Sequence, residues 1–197
     1  MLTLPEKVRR KKQPYIFIRS RVARRNLRKQ ATLFYGELRD FIIAAGVTDC
    51  GAPIMRYNTF DNDGEMDVEF GFLTERVHAG AGPVRAGIMP SGSFMSTRWT
   101  GPFDRLGEVN AMLSGWGDHN AIDWDLAETP DGVVYGCRVE IYHITSREVS
   151  DPSQFQTEIA MMLRPSAEIN VVPSLVQLGL GKAPSFSHLP MGNWRNE

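Results

Sequence analysis

Residues 66–72, Met-Asp-Val-Glu-Phe-Gly-Phe, decide the fold, because large apolar side chains alternate there with polar or small ones. A period of two predicts a β-strand with one apolar and one polar face. A polar turn at residues 61–64 precedes this strand, and the apolar run 54–57 lies before that turn. The sequence therefore predicts two successive strands.

Upstream, residues 27–45 change to a helical period. Their apolar residues recur at spacings of three and four, which predicts a helix that Gly46 terminates. This stripe consists of Leu27, Ala31, Phe34, Tyr35, Leu38, Phe41, Ile42 and Ala45. A short strand is predicted at residues 15–18, bounded by Pro14. The first half therefore reads strand, helix, strand, strand.

The second half repeats this order. Strands are predicted at residues 84–89 and 94–99, and Gly101-Pro102 opens a helix, since proline is tolerated in a first turn. The apolar stripe of this helix is Phe103, Leu106, Val109, Leu113 and Trp116. Gly115 and Gly117 are predicted to end the helix, and strands follow at residues 135–144 and 155–163. We expect an α+β fold: a pseudo-twofold duplication of a β-α-β-β unit, with one antiparallel sheet and both helices on one face.

Alternation also assigns side chains to faces. The apolar residues of strand 66–72 should face the helices, which turns Glu69 away from them. Ile159, Met161 and Leu163 should face the helices too, and Glu158 should face away. Val139 and Ile141 should also face the helices, so Glu140 and Tyr142 should join Glu158 on the helix-free side. Alternation therefore collects acidic residues and a tyrosine on the helix-free side.

Five motifs resemble those of GyrI-like effector-binding domains, in the same order along the chain. Residues 51–57 and 67–70 resemble the Gly-Pro-x-x-x-Tyr and Val-Glu elements of that family. Residues 84–93 resemble its strand and Leu-Pro-x-Gly turn, and residues 100–116 its Gly-Pro-Tyr-x-x-Leu helix entry with a closing tryptophan. Val-Glu-Ile-Tyr at 139–142 resembles its Trp-Glu-x-Tyr strand.

The resemblance implies a cleft between the two halves that takes small, often cationic or amphipathic molecules, and we expect this cleft on the helix-free face that carries Glu140. No helix-turn-helix fits before residue 15, so we expect a stand-alone binding or sequestering domain. Two alternatives stay open: a hydrolase of strained electrophiles such as cyclopropane-bearing toxins, and a DNA gyrase inhibitor-like interaction protein. Phe103 stands where the family usually has tyrosine and Trp99 where histidine is common, which favours binding over catalysis.

The candidate site centres on Glu140. A cation can offset the desolvation of a carboxylate in a partly apolar cleft, and aromatic faces add cation–π attraction. The predicted ligand-binding residues are Glu140, Tyr142, Tyr57, Trp99, Phe103, Trp116, Glu158 and Glu69. In an enzyme, Glu140 would be the general base, with Tyr57 or Tyr142 as donor. The structural alternative is that Glu140 is paired with Arg138 or another basic residue on an open sheet face, and that the aromatic residues belong to the core.

Other chemistries lack their motifs. The histidines are scattered, and Cys50 and Cys137 fit no zinc spacing, so we predict no metal and no cofactor. Two cysteines in a chain with 42% hydrophobic residues suggest buried thiols in a reducing compartment. No segment approaches the ~18 apolar residues of a membrane span. We therefore expect a cytoplasmic protein without a membrane partner.

Charge is unevenly distributed. Eleven of the 22 basic residues and one of the 23 acidic residues lie in residues 1–29, so this segment carries +10 and the rest of the chain −11. We interpret residues 1–14 as a basic arm. We favour a solvated terminus and basic strand edge. The alternative is a contact for DNA or an acidic partner. Residues 15–163 form the predicted domain. Residues 164–197 form an extension with several prolines and glycines that is a candidate homodimer contact.

Overall fold

Strands and helices follow the periodicities of the sequence. The computed structural model describes residues 1–165, which form one unit. The strands of this part of the chain are β1 (Glu6–Arg10), β2 (Gln13–Ala23), β3 (Cys50–Asp61), β4 (Glu65–Thr74), β5 (Arg85–Met89), β6 (Gly92–Thr100), β7 (Leu126–Thr129), β8 (Gly132–Ile144) and β9 (Gln156–Met162). The α-helices are α1 (Leu27–Ala44) and α2 (Leu106–His119).

All strand pairs are antiparallel, and they form one sheet with the order β1-β6-β9-β8-β3-β4-β2-β5, to which β7 adds beside β8. The units β2-α1-β3-β4 and β6-α2-β8-β9 meet at the β3–β8 pair. The predicted α+β duplication in one antiparallel sheet is confirmed.

The outer strands are exchanged between the halves. β1 precedes β2 but pairs with β6, and β5 precedes β6 but pairs with β2. Only residues 11 and 12 join β1 to β2, although these strands lie near opposite ends of the strand order, so the sheet must curl. The curl brings Met89 Sδ of β5 within 3.9 Å of Cys137 Sγ of β8. One face of the sheet is therefore enclosed by its own outer strands.

The sheet buries apolar side chains on both faces. The helix side carries α1 and α2, and its core contains Leu38, Met55, Phe70, Leu113 and Ile159. The enclosed side has a separate core of Tyr15, Ile54, Met89, Phe94, Cys137, Val139, Ile141 and Ala160. Burial on both faces means that apolar character alone does not tell which way a strand is turned.

The face prediction is correct for β4 and β9 and wrong for β8. Met66, Val68, Phe70 and Phe72 of β4 lie on the helix side, as do Ile159 and Met161 of β9. Val139 and Ile141 lie on the enclosed side instead. Glu140 is paired with Met55 and with Ile159, both in the helix-side core. Glu140 and Tyr142 therefore face the helices, opposite to Glu158, because both faces of β8 are buried and alternation fixes only which residues share a face.

Helix α2 also runs further than predicted. It continues past Gly115 and Gly117 to His119. A Cβ at position 117 would lie 2.1 Å from the Trp124 ring, so this glycine provides close packing rather than a helix end.

Part of the predicted basic arm belongs to the sheet. Residues 6–10 form its edge strand β1. The predicted dimer contact in residues 164–197 lies outside the described residues, except for Arg164 and Pro165. Within the described part of the chain, no helix is long and apolar enough to cross a membrane.

Candidate functional site

Glu140 is a buried carboxylate between the sheet and α2. Glu140 is 4% exposed to solvent. Asn110 Nδ2 donates a hydrogen bond to Oε1 at 2.7 Å, and the Tyr142 hydroxyl donates to Oε2 at 2.6 Å. Across residues 1–165, the ion pairs formed by arginine and histidine involve other acids. Both oxygens are thus solvated by neutral donors, without a direct cationic partner.

Phenol rings surround this carboxylate. Burial first, and then the charge of Glu140, raise the pKa values of Tyr35, Tyr57 and Tyr142 well above their usual range. The phenols therefore stay protonated and can donate hydrogen bonds. Phe103 covers Tyr142 edge-on, with 5.3 Å between ring centroids. The site is an acid within an aromatic enclosure.

Asn110 links the acid to Arg138. Its Oδ1 accepts a hydrogen bond of 2.9 Å from Arg138 Nη2, while its Nδ2 donates to Glu140. The guanidinium lies 5.0 Å from the Phe60 ring centroid and 5.1 Å from that of Tyr135. The structural alternative, a direct Glu140–Arg138 pair on an open face, is therefore wrong. The Asn110 amide separates the two charges, and both residues are buried.

The duplication leaves this site with a single acid. Met55 and Glu140 are paired across the β3–β8 ladder, and Tyr57 and Tyr142 each follow them by two residues. Met55 and Glu140 are therefore pseudo-twofold mates that face each other at the axis. Methionine occupies the position in one half and a carboxylate occupies it in the other.

The enclosed side holds two further acids. Glu69 accepts hydrogen bonds from the Tyr15 hydroxyl at 2.5 Å and from Asn58 Nδ2 at 3.1 Å, and it lies 3.6 Å from Arg56. Like Glu140, Glu69 is 4% exposed. It differs in having an arginine beside it.

Glu158 is the pseudo-twofold counterpart of Glu69. It binds Arg10 and Ser96, and His143 Nε2 lies 3.0 Å from its Oε2. Burial would raise the pKa of Glu158, but the hydrogen bonds from His143 and Ser96 and the charge of Arg10 outweigh it and lower the pKa to about 2. This acid is held ionised by its own partners.

The structure divides the predicted site residues between the two faces. Glu140, Tyr142, Tyr57 and Phe103 come together on the helix side. Trp99 and Trp116 pack into the helix-side core, and the Trp99 indole donates to the Pro102 carbonyl. The prediction that Glu69 and Glu158 share a face with Glu140 is wrong, since the two lie on the enclosed side. The site is also not on the helix-free side, where the cleft was expected.

Sequence reasoning missed Asn110, although it left a signal. Asn110 is a buried polar residue in the apolar stripe of α2, between Leu106 and Leu113. A polar residue at such a position needs a buried partner. Among residues 1–165, no group of three or more His, Cys, Asp and Glu side chains is arranged to hold a metal ion.

Several solved structures share this architecture at low identity. EcmrR in a cryo-EM structure of its DNA complex aligns with a TM-score of 0.67 and 17% identity over 82% of this chain and 57% of that chain. The crystal structure of the EcmrR C-terminal domain aligns with a TM-score of 0.60 and 17% identity, over 82% and 99% of the two chains. SAV2435 bound to tetraphenylphosphonium aligns with a TM-score of 0.56 and 12% identity, over 83% and 95%.

These matches show that the chain shares the fold of the EcmrR C-terminal domain and of SAV2435, and that it spans a little over half the length of EcmrR. No protein-family model and no curated protein matches the sequence.

Proposed function

We propose that the domain binds small hydrophobic cations at the Glu140 site, defined by Glu140, Asn110, Tyr142, Tyr57 and Phe103. The observation that carries this proposal is a buried carboxylate whose hydrogen-bond donors are all neutral. Burying an acid is costly unless it is paired. A ligand cation would supply the missing charge.

The aromatic surroundings suit such a ligand. Cations are attracted to aromatic faces by ~0.5–2 kcal/mol each, more strongly where water is excluded. The chain already places one buried cation on rings, since Arg138 lies over Phe60 and Tyr135. An organic cation could make comparable contacts with Tyr57, Tyr142 and Phe103.

Phe103 marks the route by which a ligand would enter. It lies in the short 3-10 turn before α2 and is 37% exposed, while Tyr142 beneath it is 7% exposed. Its ring stacks on Phe155 with 4.7 Å between centroids. A ligand that displaces this ring reaches Tyr142 first and Glu140 directly behind it.

Binding is better supported than hydrolysis by the same residues. A general base must take a proton from a water or substrate, and hydrogen bonds to its carboxylate make it a weaker base. Here each Glu140 oxygen already accepts one hydrogen bond, from Asn110 or from Tyr142. These bonds stabilise the ionised carboxylate, and it is the ionised form that attracts a cation.

The fold neighbour SAV2435, which binds tetraphenylphosphonium, suggests the probe. We expect tetraphenylphosphonium to bind the full-length chain in isothermal titration calorimetry. Glu140→Gln should weaken it at least about thirtyfold, because removing the charged partner from a buried contact costs ~2–5 kcal/mol. Neutral triphenylphosphine oxide should bind weakly and equally to both proteins.

Glu158→Gln is the control, because it removes an acid from the opposite face. It should leave tetraphenylphosphonium affinity within about twofold of the original chain. Equal losses in the two variants would contradict the proposal, as would unchanged affinity in Glu140→Gln. Turnover of a strained electrophile that is lost in Glu140→Gln while binding persists would favour the hydrolase instead.

A further inference from the structure

We propose that the enclosed side of the sheet holds a second small-molecule site, which takes a small amphipathic anion such as a medium-chain carboxylate. A cavity of about 230 Å³ lies there. Its walls are formed mainly by Leu73, Phe94, Cys137, Val139 and Ile141. The proposal concerns the face opposite the Glu140 site and does not depend on it.

Three polar residues, two of them basic, line the cavity on the side of the β1–β2 turn. Arg10, Lys11 and Gln13 contribute to its lining. Gln13 donates its amide to the Thr74 carbonyl, whereas Lys11 is exposed and makes no ion pair with residues 1–165. Arg10 binds Glu158, yet its Nε is buried without a hydrogen-bond partner in the described chain. An anionic head group would find the charge of Lys11 here, unpaired within the same part of the chain.

The charges near the cavity differ in whether they are paired. Arg10 is paired with Glu158, and Arg56 lies 3.6 Å from Glu69. Lys11, which also lines the cavity, makes no ion pair with residues 1–165. Its positive charge favours a carboxylate over an ammonium group, which separates this site chemically from the Glu140 site.

Size limits the ligand. At ~30 Å³ per water molecule, the cavity has room for roughly eight waters. It is smaller than the ~300–1,000 Å³ pockets that hold drug-sized ligands. A short alkyl chain fits along Cys137, Val139 and Ile141, with its carboxylate beside Arg10 and Lys11.

Titration of the full-length chain with octanoate tests the proposal. We expect saturable one-site binding in calorimetry, and none with octylamine, which has the same tail and the opposite charge. Lys11→Glu should weaken octanoate about tenfold, corresponding to ~1.4 kcal/mol. Lys12→Glu is the matched control, because this neighbour is equally exposed but does not line the cavity, and it should change affinity less than twofold.

A second variant fills the cavity without touching its charges. Leu73 is only partly buried, so Leu73→Trp can be accommodated at the rim, and its thermal melt verifies folding. It should abolish octanoate binding, whereas Glu140→Gln should leave that binding intact.

Any of three results would overturn the proposal. The first is that octanoate shows no saturable binding, and the second is that Lys11→Glu and Lys12→Glu have equal effects. The third is that Glu140→Gln loses octanoate binding. Tetraphenylphosphonium binding is measured separately, so either site can fail without the other.

Discussion

Glu140 and Glu69 are equally buried, and each accepts hydrogen bonds from one tyrosine and one asparagine. They lie on opposite faces of the same sheet. Arg56 lies 3.6 Å from Glu69, whereas Arg138 reaches Glu140 only through the Asn110 amide. Glu69 therefore has a cationic partner directly beside it, whereas the Asn110 side chain separates Glu140 from Arg138.

This difference separates a structural acid from a candidate ligand acid. A buried ion pair is strongly destabilised when one partner is removed, because the other charge stays buried and uncompensated. When a buried acid has no direct cationic partner, removing its charge costs the protein little stability, because no opposite charge is left uncompensated. Burial alone would not distinguish Glu140 from Glu69, but their partners do.

The largest expected effect comes from neutralising each acid. Glu69→Gln should lower the free energy of unfolding by about 2–4 kcal/mol, because it leaves the Arg56 charge uncompensated. Glu140→Gln should lower it by less than about 1 kcal/mol, or raise it, since a buried charge is removed while the shape is kept. Denaturant unfolding with a common slope measures both variants. A reversed order would break the comparison.

Glu158, the pseudo-twofold counterpart of Glu69, adds a pH dependence. Its pKa is about 2 in the folded chain against a usual value of 4.5, so the stabilisation it gives is complete above about pH 4.5 and is lost as pH falls towards 2. The free energy of unfolding should fall by up to about 1.4 kcal/mol per pH unit in this window.

Glu158→Gln serves as the reference for that experiment, because it cannot titrate at position 158. Its acid-side slope should be shallower than that of the original chain. Parallel slopes would show that the partners of Glu158 do not hold it ionised.

A smaller effect distinguishes the two tyrosines. Tyr142→Phe should cost about 2 kcal/mol, because it removes one of two donors from a charged group that has no arginine beside it. Tyr15→Phe should cost about 1 kcal/mol, because Arg56 Nη1, which donates to the Tyr15 hydroxyl and lies 3.6 Å from Glu69 Oε2, is freed to donate to Glu69 directly. Equal costs would argue that Arg56 does not compensate Glu69.

Much of the fold was predictable from the residues. The alternation in β4 and the helical spacing in α1 gave the correct elements, and the order of those elements indicated the duplication. Tyr57 and Tyr142 lie at equivalent positions of the two halves, and so do Glu69 and Glu158. Asn58 and His143 directly follow these tyrosines, and each contacts the acid of its own half.

Part of the candidate site was predictable too. Glu140 and Tyr142 were expected together, and their side chains are hydrogen-bonded. Asn110 was not assigned a role, and Arg138 was considered only as a direct partner of Glu140, because Asn110 lies about 30 residues from both along the chain. Such contacts depend on how α2 packs on β8, which local periodicity does not specify.

The sequence by itself determined the two helices and seven of the strands, their order and which side chains share a face, because these follow from local backbone geometry with periods of 2 and 3.6. It did not indicate the strands β1 and β7. Only the tertiary structure decided which face of β8 meets the helices. The sheet curls until its outer strands cover one face while α1 and α2 cover the other, so apolar residues are buried on both. With both faces apolar, the positions of Glu140 on one side and of Glu69 and Glu158 on the other were set by long-range packing and strand exchange.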